Sequence, residues 1–244
     1  MAGHSKWANI KHRKGAQDKK RAQLFTKLIR AVRVAAQEGG PDPDTNATLA
    51  VAIERAKAFN VPKETIARAL SKEEGERVQE LAFDAIGPGG VQIIIECATD
   101  NPNRTISEVR HLVEKRHGKI TQHGAARWAF RRAGMVFLPK EQVEDEEAAT
   151  LALIDAGVDD VLSEEGALVA LTDPAMLAQV AQQIRDRGFP VADAMLGWHP
   201  THRAEPLPPE SAQRLRQLCD ALEEHPDVQA VWTNAPERTA EAAA

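Results

Sequence analysis

The spacing of the hydrophobic residues changes near residue 78, and this change constrains the fold more than any other feature of the chain. Before it, apolar residues recur every three or four positions, as in helices that are buried on one side. After it, segments in which apolar residues alternate with polar ones, typical of strands, are interspersed with further helical segments. The sequence therefore predicts a helical N-terminal region followed by mixed α and β structure.

Three helices are predicted in the N-terminal region. Apolar residues recur at helical spacing from Leu24 to Ala36, and the Gly39-Gly40 pair ends this run. A second run covers residues 49–59, and Pro62 suits the first turn of a third helix. We therefore expect residues 1–76 to form a basic helical domain.

Residues 134–205 are predicted to form a complete α+β domain. Their elements follow in the order β-α-β-β-α-β, which is typical of a split βαβ, ferredoxin-like sandwich. The predicted elements are a strand at 135–138, a helix at 141–156, a hairpin of strands at 158–162 and 167–171, a helix from Pro174 and a strand ending near Trp198.

The segment before that domain is predicted to be half of another one. It has a hairpin around the glycine-rich stretch at 87–90, a helix that opens with capping-box spacing at Thr105, and a strand at 126–132. A strand follows these glycines, so we interpret them as a tight turn and not as a phosphate-binding loop, which would need a helix there. The missing helix and strand are supplied by residues 209–233.

We therefore predict an α+β protein with a three-helix domain and two ferredoxin-like α/β sandwich domains. Residues 79–133 and 206–235 would form a discontinuous second domain, into which the third domain, 134–205, is inserted.

The charges are strongly segregated along the chain. Residues 1–33 hold ten Lys and Arg but one acidic residue, whereas the remaining residues hold 21 basic and 35 acidic side chains. Such asymmetry favours a polyanion bound at one end of the molecule. The alternative is a basic tail without a binding function.

The predicted nucleic-acid contacts are the basic residues of this segment together with Trp7 and His12. On a helix, Lys27, Arg30 and Arg33 would lie opposite the apolar side, without interspersed acids. A solvated helix face is the alternative interpretation. The predicted residues are Lys6, Trp7, Lys11, His12, Arg13, Lys14, Lys19, Lys20, Arg21, Lys27, Arg30 and Arg33.

Trp7 lies in an arm that combines cations with hydrogen-bonding side chains. Its indole could stack on an unpaired base, or it could pack under the helical domain. Arg104 is a further candidate, for a secondary anion site, because it lies where a helix is predicted to begin.

No motif argues for catalysis, and we expect no cofactor. His111, His117 and His123 recur every six residues, a spacing that does not share a helix face, so no metal site is predicted. The ten acidic residues of 141–165 are interpreted as a solvated face. Two distant cysteines, no secretory signal and no apolar stretch long enough to span a membrane predict a cytoplasmic protein, which we expect to be monomeric.

Several stretches of this chain occur together in one known family. They are the opening MAGHSKWANIKHRKGAQDKKRAQLFTKLIR, GGPDPDTN at 39–46, GPGG at 87–90, DNPNRT at 100–105 and HPDVQAVWTN at 225–234. With these motifs the chain resembles the YebC/PmpR family, over almost its whole length. The resemblance implies a three-domain cytoplasmic transcriptional regulator that binds DNA. It also implies a link to translation, because a mitochondrial branch activates translation and some bacterial members are associated with ribosomes stalled on proline runs.

The sequence thus leads to a non-enzymatic regulator of gene expression that binds nucleic acid through its N-terminal region. A DNA-binding transcriptional regulator is the first hypothesis. A ribosome-associated translation factor that contacts ribosomal or transfer RNA is the second, since phosphate attraction is common to both. A protein-interaction adaptor, whose acidic domains matter more than the arm, is the third.

Overall fold

The computed structural model describes residues 18–71, 78–164 and 166–236, with side chains from residue 22 onward. Over these residues it contains seven α-helices and two four-stranded sheets, which confirms the predicted α+β class. The described residues divide into two compact units. The first unit comprises 18–71 and 132–197 without residue 165, and the second comprises 78–131 and 198–236. None of the helices in these ranges is long and apolar enough to cross a membrane.

The first unit begins with the three predicted helices, which are α1 (Asp18–Gly39), α2 (Ala47–Ala58) and α3 (Lys63–Leu70). After α1, Gly40 adopts a left-handed conformation with φ of 91°, which glycine reaches without strain. Asn46 then caps α2, because its side-chain oxygen accepts a hydrogen bond from the Leu49 amide at 3.0 Å. Its Nδ2 donates to the Ala35 carbonyl at 2.7 Å, so one side chain joins the end of α1 to the start of α2.

The second unit is built around an antiparallel sheet that the chain leaves and later rejoins. Its elements are β1 (Gln79–Ile86), β2 (Gln92–Thr99), α4 (Pro102–Lys115) and β3 (Lys119–Ile120), followed much later by α7 (Pro209–Glu223) and β8 (Val228–Thr233). The strands lie in the order β3-β1-β2-β8. The predicted turn at 87–90 is present between β1 and β2, and the Gly87 amide donates to the Val91 carbonyl at 2.8 Å.

The core of the second unit lies on one face of this sheet. Ile93 and Ile95 of β2 are fully buried there, together with Val109 of α4 and with Leu218 and Leu222 of α7. Because strand side chains alternate between faces, the intervening residues of β2 belong to the opposite face.

The intervening chain forms a second antiparallel sheet with two helices. The elements are β4 (Phe130–Pro139), α5 (Glu146–Asp155), β5 (Asp160–Glu164), β6 (Ala167–Thr172), α6 (Leu177–Asp186) and β7 (Asp193–Pro200). The strand order β5-β6-β4-β7 agrees with the predicted ferredoxin-like arrangement. Leu138 and Leu168 from the sheet pack in one core with Leu153 of α5 and Ile184 of α6.

The strand predicted at 126–132 is wrong in its position and in its sheet. Residues Arg127–Ala129 form a 3-10 turn, and Phe130 begins β4 of the second sheet. The short strand β3 pairs with β1 instead. Hydrogen bonds to distant residues hold the turn: the Ala126 amide donates to the buried carboxylate of Asp84 at 3.1 Å. Such contacts override the local alternation of apolar and polar residues.

Two predicted helix starts are also displaced. α4 begins at Pro102 and not at Thr105, because Asn101 provides the cap by accepting from the Arg104 amide at 3.2 Å. α5 begins at Glu146 and not at 141, because the Asp145 side chain caps it by accepting from two backbone amides.

Candidate nucleic-acid interface

Three of the predicted contact residues, Lys27, Arg30 and Arg33, are described by the structure, and all lie on α1. They are spaced three residues apart, so they follow one another along the same side of the helix. Arg30 and Arg33 are half-buried, whereas Lys27 is only 6% exposed. Val34, a neighbour of Arg30 by helical spacing, is buried as well. The prediction of a solvent-facing basic side opposite the apolar side is therefore wrong for Lys27. Near Lys27 the helix is packed against other residues on its basic side as well as on its apolar side.

The structure does not describe the side chains of the other predicted contact residues. Lys19, Lys20 and Arg21 belong to α1, but their side chains lie outside the described residues. The arm lies outside them altogether: Lys6, Trp7, Lys11, His12, Arg13 and Lys14. The structure thus brings together the cations of α1 alone, and the role of the arm stays a prediction.

A further cation of the helical region, Arg55 on α2, has a structural role that was not predicted. Its Nε lies 2.9 Å from Oδ1 and 3.1 Å from Oδ2 of Asp193, whose side chain is completely buried at the start of β7. The pair joins α2 to the second sheet within the first unit. The two residues are 138 positions apart, so no local pattern in the sequence indicates the pair.

Arg104 is part of an ion-pair network, which argues against the secondary anion site predicted for it. Its Nη2 donates to Asp100 Oδ1 and to Asp227 Oδ2, each at 2.9 Å. The hydrogen bond and charge of Asp227, followed by those of Asp100, raise the pKa of the guanidinium. Both hydrogen bonds come from Nη2, and the negative charge of the two carboxylates beside the guanidinium disfavours an external anion there.

The same network contains a cluster of metal-ligating residue types, Glu108, His225 and Asp227. The His225 Nδ1 accepts a hydrogen bond from the Asp227 amide at 3.1 Å, and its Nε2 lies 2.9 Å from Glu108 Oε2. This pattern assigns the proton to Nε2, which donates to the carboxylate. Both ring nitrogens are used in these hydrogen bonds, so we interpret the cluster as structural and not as a metal site.

The second unit also exposes an aromatic side chain amid basic residues, which we call the Trp128 surface (Arg127, Trp128 and His202). Trp128 lies in the 3-10 turn before β4 and is 61% exposed. Its ring centroid is 5.5 Å from that of His202, at an interplanar angle of 54°. The Ala129 carbonyl accepts hydrogen bonds from the Thr201 amide at 2.8 Å and from the His202 amide at 3.3 Å. These bonds join the two segments that carry the rings.

The sequence carried a signal for this surface that our prediction did not use. Residues 115–131 contain five basic and no acidic side chains, and 198–203 contain two histidines and an arginine, again without an acid. In a chain with more acidic than basic residues, such acid-free stretches mark a second basic region.

Two family models together match almost the whole chain. The family model described as the TACO1/YebC protein N-terminal domain matches residues 5–76, and the one described as the TACO1/YebC second and third domain matches residues 78–235. The chain belongs to the TACO1/YebC family. The family resemblance expected from the sequence motifs is thus confirmed.

Curated relatives and a solved structure agree with this membership. A TACO1/YebC relative from Petrotoga mobilis, named "Probable transcriptional regulatory protein", is 44% identical over 96% of this chain and 94% of its own length. A protein from Caldanaerobacter subterraneus with the same description is 40% identical over 96% of this chain and 98% of its own length. The crystal structure of a conserved hypothetical protein from Aquifex aeolicus superposes with a TM-score of 0.88 at 38% identity, covering 97% of this chain and 100% of that one.

Proposed function

We propose that this member of the TACO1/YebC family is a non-enzymatic regulator of gene expression that binds nucleic acid through its N-terminal region, with duplex DNA as the first target. One observation carries the proposal: ten basic residues and one acidic residue within 1–33, in a chain that is otherwise acidic. The names of the relatives, which describe them as transcriptional regulatory proteins, support the same conclusion.

The charge distribution determines how the molecule would approach a polyanion. Phosphates attract the N-terminal cations, whereas they repel the excess of acidic residues in the rest of the chain, so the main electrostatic contact would be made by the N-terminal region. Arg30 and Arg33 are carried by a helix whose Leu24 and Leu28 are buried, so their backbone is already ordered. Cations on an ordered helix lose less entropy on binding than those on a flexible segment.

The two cysteines give no support to an enzymatic alternative. Cys97 and Cys219 are both buried. Burial raises the pKa of the Cys219 thiol, and the nearby carboxylates of Glu223 and Asp220 raise it further. A nucleophilic cysteine needs the opposite, a lowered pKa and access to substrate.

A salt titration with a charge-matched control tests the proposal. If about six phosphates are neutralised, affinity for a duplex should fall roughly 10³-fold between 50 and 200 mM salt. A full-length variant with Lys11, Arg13 and Lys14 changed to Gln should bind much more weakly and show a flatter salt dependence. The control variant changes Arg185, Arg187 and Arg214 to Gln, which alters net charge equally. Equal weakening by the two variants would contradict an N-terminal interface.

A ribosome-associated translation factor is the second candidate, and the Trp128 surface favours it. An exposed indole beside cations suits unpaired bases, which ribosomal RNA offers and duplex DNA does not. Sedimentation of lysate through a sucrose gradient separates the two candidates. Co-migration with ribosomes that survives DNase would support the translational function, whereas loss of the protein from fast-sedimenting fractions after DNase would support the first.

A further inference from the structure

We propose that the Trp128 surface binds an unpaired nucleobase of a single-stranded nucleic-acid segment, as a second contact separate from the N-terminal region. The proposal goes beyond the function given above, because it concerns a different unit of the chain and a different kind of interaction. It would hold whether the single strand is RNA or DNA.

Trp128 is much more exposed than the other described tryptophans. Trp198 and Trp232 donate their indole N–H groups to the two carboxylate oxygens of Glu96, at 3.0 and 2.8 Å, and Trp232 is 6% exposed. Trp128 is 61% exposed. An indole is among the largest apolar groups of a protein, so leaving it in water gives up burial energy that the other two tryptophans retain.

The backbone that carries Trp128 is held in place. The residues that follow Trp128, Ala129 and Phe130, are buried, and the Ala129 carbonyl accepts from two amides of the 198–203 segment. An aromatic ring on an ordered backbone loses little conformational entropy when a ligand stacks on it. His202 at 5.5 Å adds a second ring beside the indole.

Basic side chains lie near the rings. Arg127, next to Trp128, places its guanidinium carbon 5.2 Å from the centre of the Trp198 ring. Asp84, whose buried Oδ1 lies 3.9 Å from Arg127 Nε, faces this guanidinium, and Glu96 accepts a hydrogen bond from the indole of Trp198, over which the guanidinium lies. Along the chain, the first acids outside the two basic stretches are Glu114 and Glu141 for 115–131, and Asp193 and Glu205 for 198–203. A stacking ring with cations on both stretches fits a base together with its phosphates.

These features favour single-stranded nucleic acid over the other possible occupants. In a duplex the base faces are already stacked, so an indole gains no contact with them. A protein partner that covers one tryptophan amid cations would need an acidic surface of its own. A single strand supplies both the aromatic face and the negative charge in every nucleotide.

The test compares Trp128→Ala and Trp128→Phe in the full chain. The probes are a 12-nucleotide single-stranded RNA, the DNA strand of the same sequence and the corresponding DNA duplex, each labelled for anisotropy, and the single strands carry 2-aminopurine. We expect Trp128→Ala to weaken single-strand binding about five- to hundredfold and to leave duplex binding within about twofold. Trp128→Phe should retain most of the affinity. Quenching of 2-aminopurine should be lost in the Ala variant only.

Controls separate this proposal from the N-terminal interface. Ile86→Ala removes another exposed apolar side chain of the second unit and should change no affinity. The N-terminal glutamine variant tests the duplex interface, so its failure would leave the single-strand difference intact. The kind of single strand, RNA or DNA, that loses more affinity in Trp128→Ala is the natural ligand of this surface.

Three results would overturn the proposal. Unchanged single-strand affinity of Trp128→Ala would show that the indole makes no contact with the strand. Equal weakening on duplex and single strands would show that the effect is not stacking. Absence of single-strand binding by the unmodified chain would exclude the site altogether.

Discussion

Arg104 and Asp227 form an ion pair, with 2.9 Å between Nη2 and Oδ2, that joins the first turn of α4 to the residue before β8. The Asp227 side chain is 1% exposed and also accepts from the hydroxyl groups of Thr105 at 2.7 Å and Thr99 at 3.2 Å. A buried carboxylate is tolerated only when it is fully hydrogen-bonded. The DNPNRT motif is therefore explained by the stability of the second unit.

Thr105→Val should destabilise the protein, because it removes one donor from this buried carboxylate while preserving the shape of the side chain. The expected loss in free energy of unfolding is about 1.5–3 kcal/mol, the usual value for a hydrogen bond to a charged group. Urea denaturation followed by circular dichroism measures it. Thr105→Ser keeps the hydroxyl and should lose less; a valine variant as stable as the unmodified chain would show that the hydrogen bond contributes nothing.

Arg55→Met should be more harmful than removal of the whole Arg55–Asp193 pair. The single change leaves a completely buried carboxylate without its cation, which costs about 3–5 kcal/mol. The double variant Arg55→Met, Asp193→Leu removes the charge as well, so it should recover part of the loss. Thermal and urea unfolding of the three chains decide this, and a double variant that is less stable than Arg55→Met would contradict the explanation.

Arg30→Ala with Arg33→Ala should weaken binding to all duplex sequences alike, since phosphates carry no sequence information. The slope of log affinity against log salt should become shallower by up to about two units. Arg214→Ala on α7, which removes an exposed arginine paired with Glu210, serves as the control. Anisotropy titrations on two unrelated duplexes measure the effect. A loss confined to one duplex would indicate base recognition by α1 instead.

Neither thiol should react rapidly with Ellman's reagent in the native protein. Cys97 and Cys219 are each 2% exposed, and the raised pKa of Cys219 lowers its thiolate fraction at any given pH. Since the thiolate is the reactive form, labelling at pH 8 should require unfolding. Two thiols should appear in guanidinium chloride. A fast-reacting thiol in the native chain would mean that one of the cores opens readily.

The sequence predicted those parts of the fold that depend on local patterns. The glycines after α1, the hairpin around residues 87–90 and the β-α-β-β-α-β order of the inserted segment are each encoded by neighbouring residues. The family motifs were equally informative. They occur in both units, and the family models match residues 5–76 and 78–235.

The parts that could not be predicted depend on residues far apart in the chain. Asp193 forms an ion pair with Arg55, and Asp84 holds the turn after Gly124 by accepting a hydrogen bond from the Ala126 amide. The burial of Lys27 also depends on packing that the local sequence does not encode. Helical periodicity identifies one buried side of α1, but the covering of the other side is decided by tertiary packing, which a periodic pattern does not contain.

The late return of the chain to its first sheet has a consequence for biosynthesis. β2 ends at Thr99, yet its partner β8 begins only at Val228. Until then, the outer side of β2 presents unpaired amides and carbonyls in the nascent polypeptide, a template for wrong pairing. The sheet between them, β4 to β7, is complete once residue 200 has been made. Residues 228–233 must therefore be synthesised before the earlier sheet can close, so a strand made much later protects an edge of one made early.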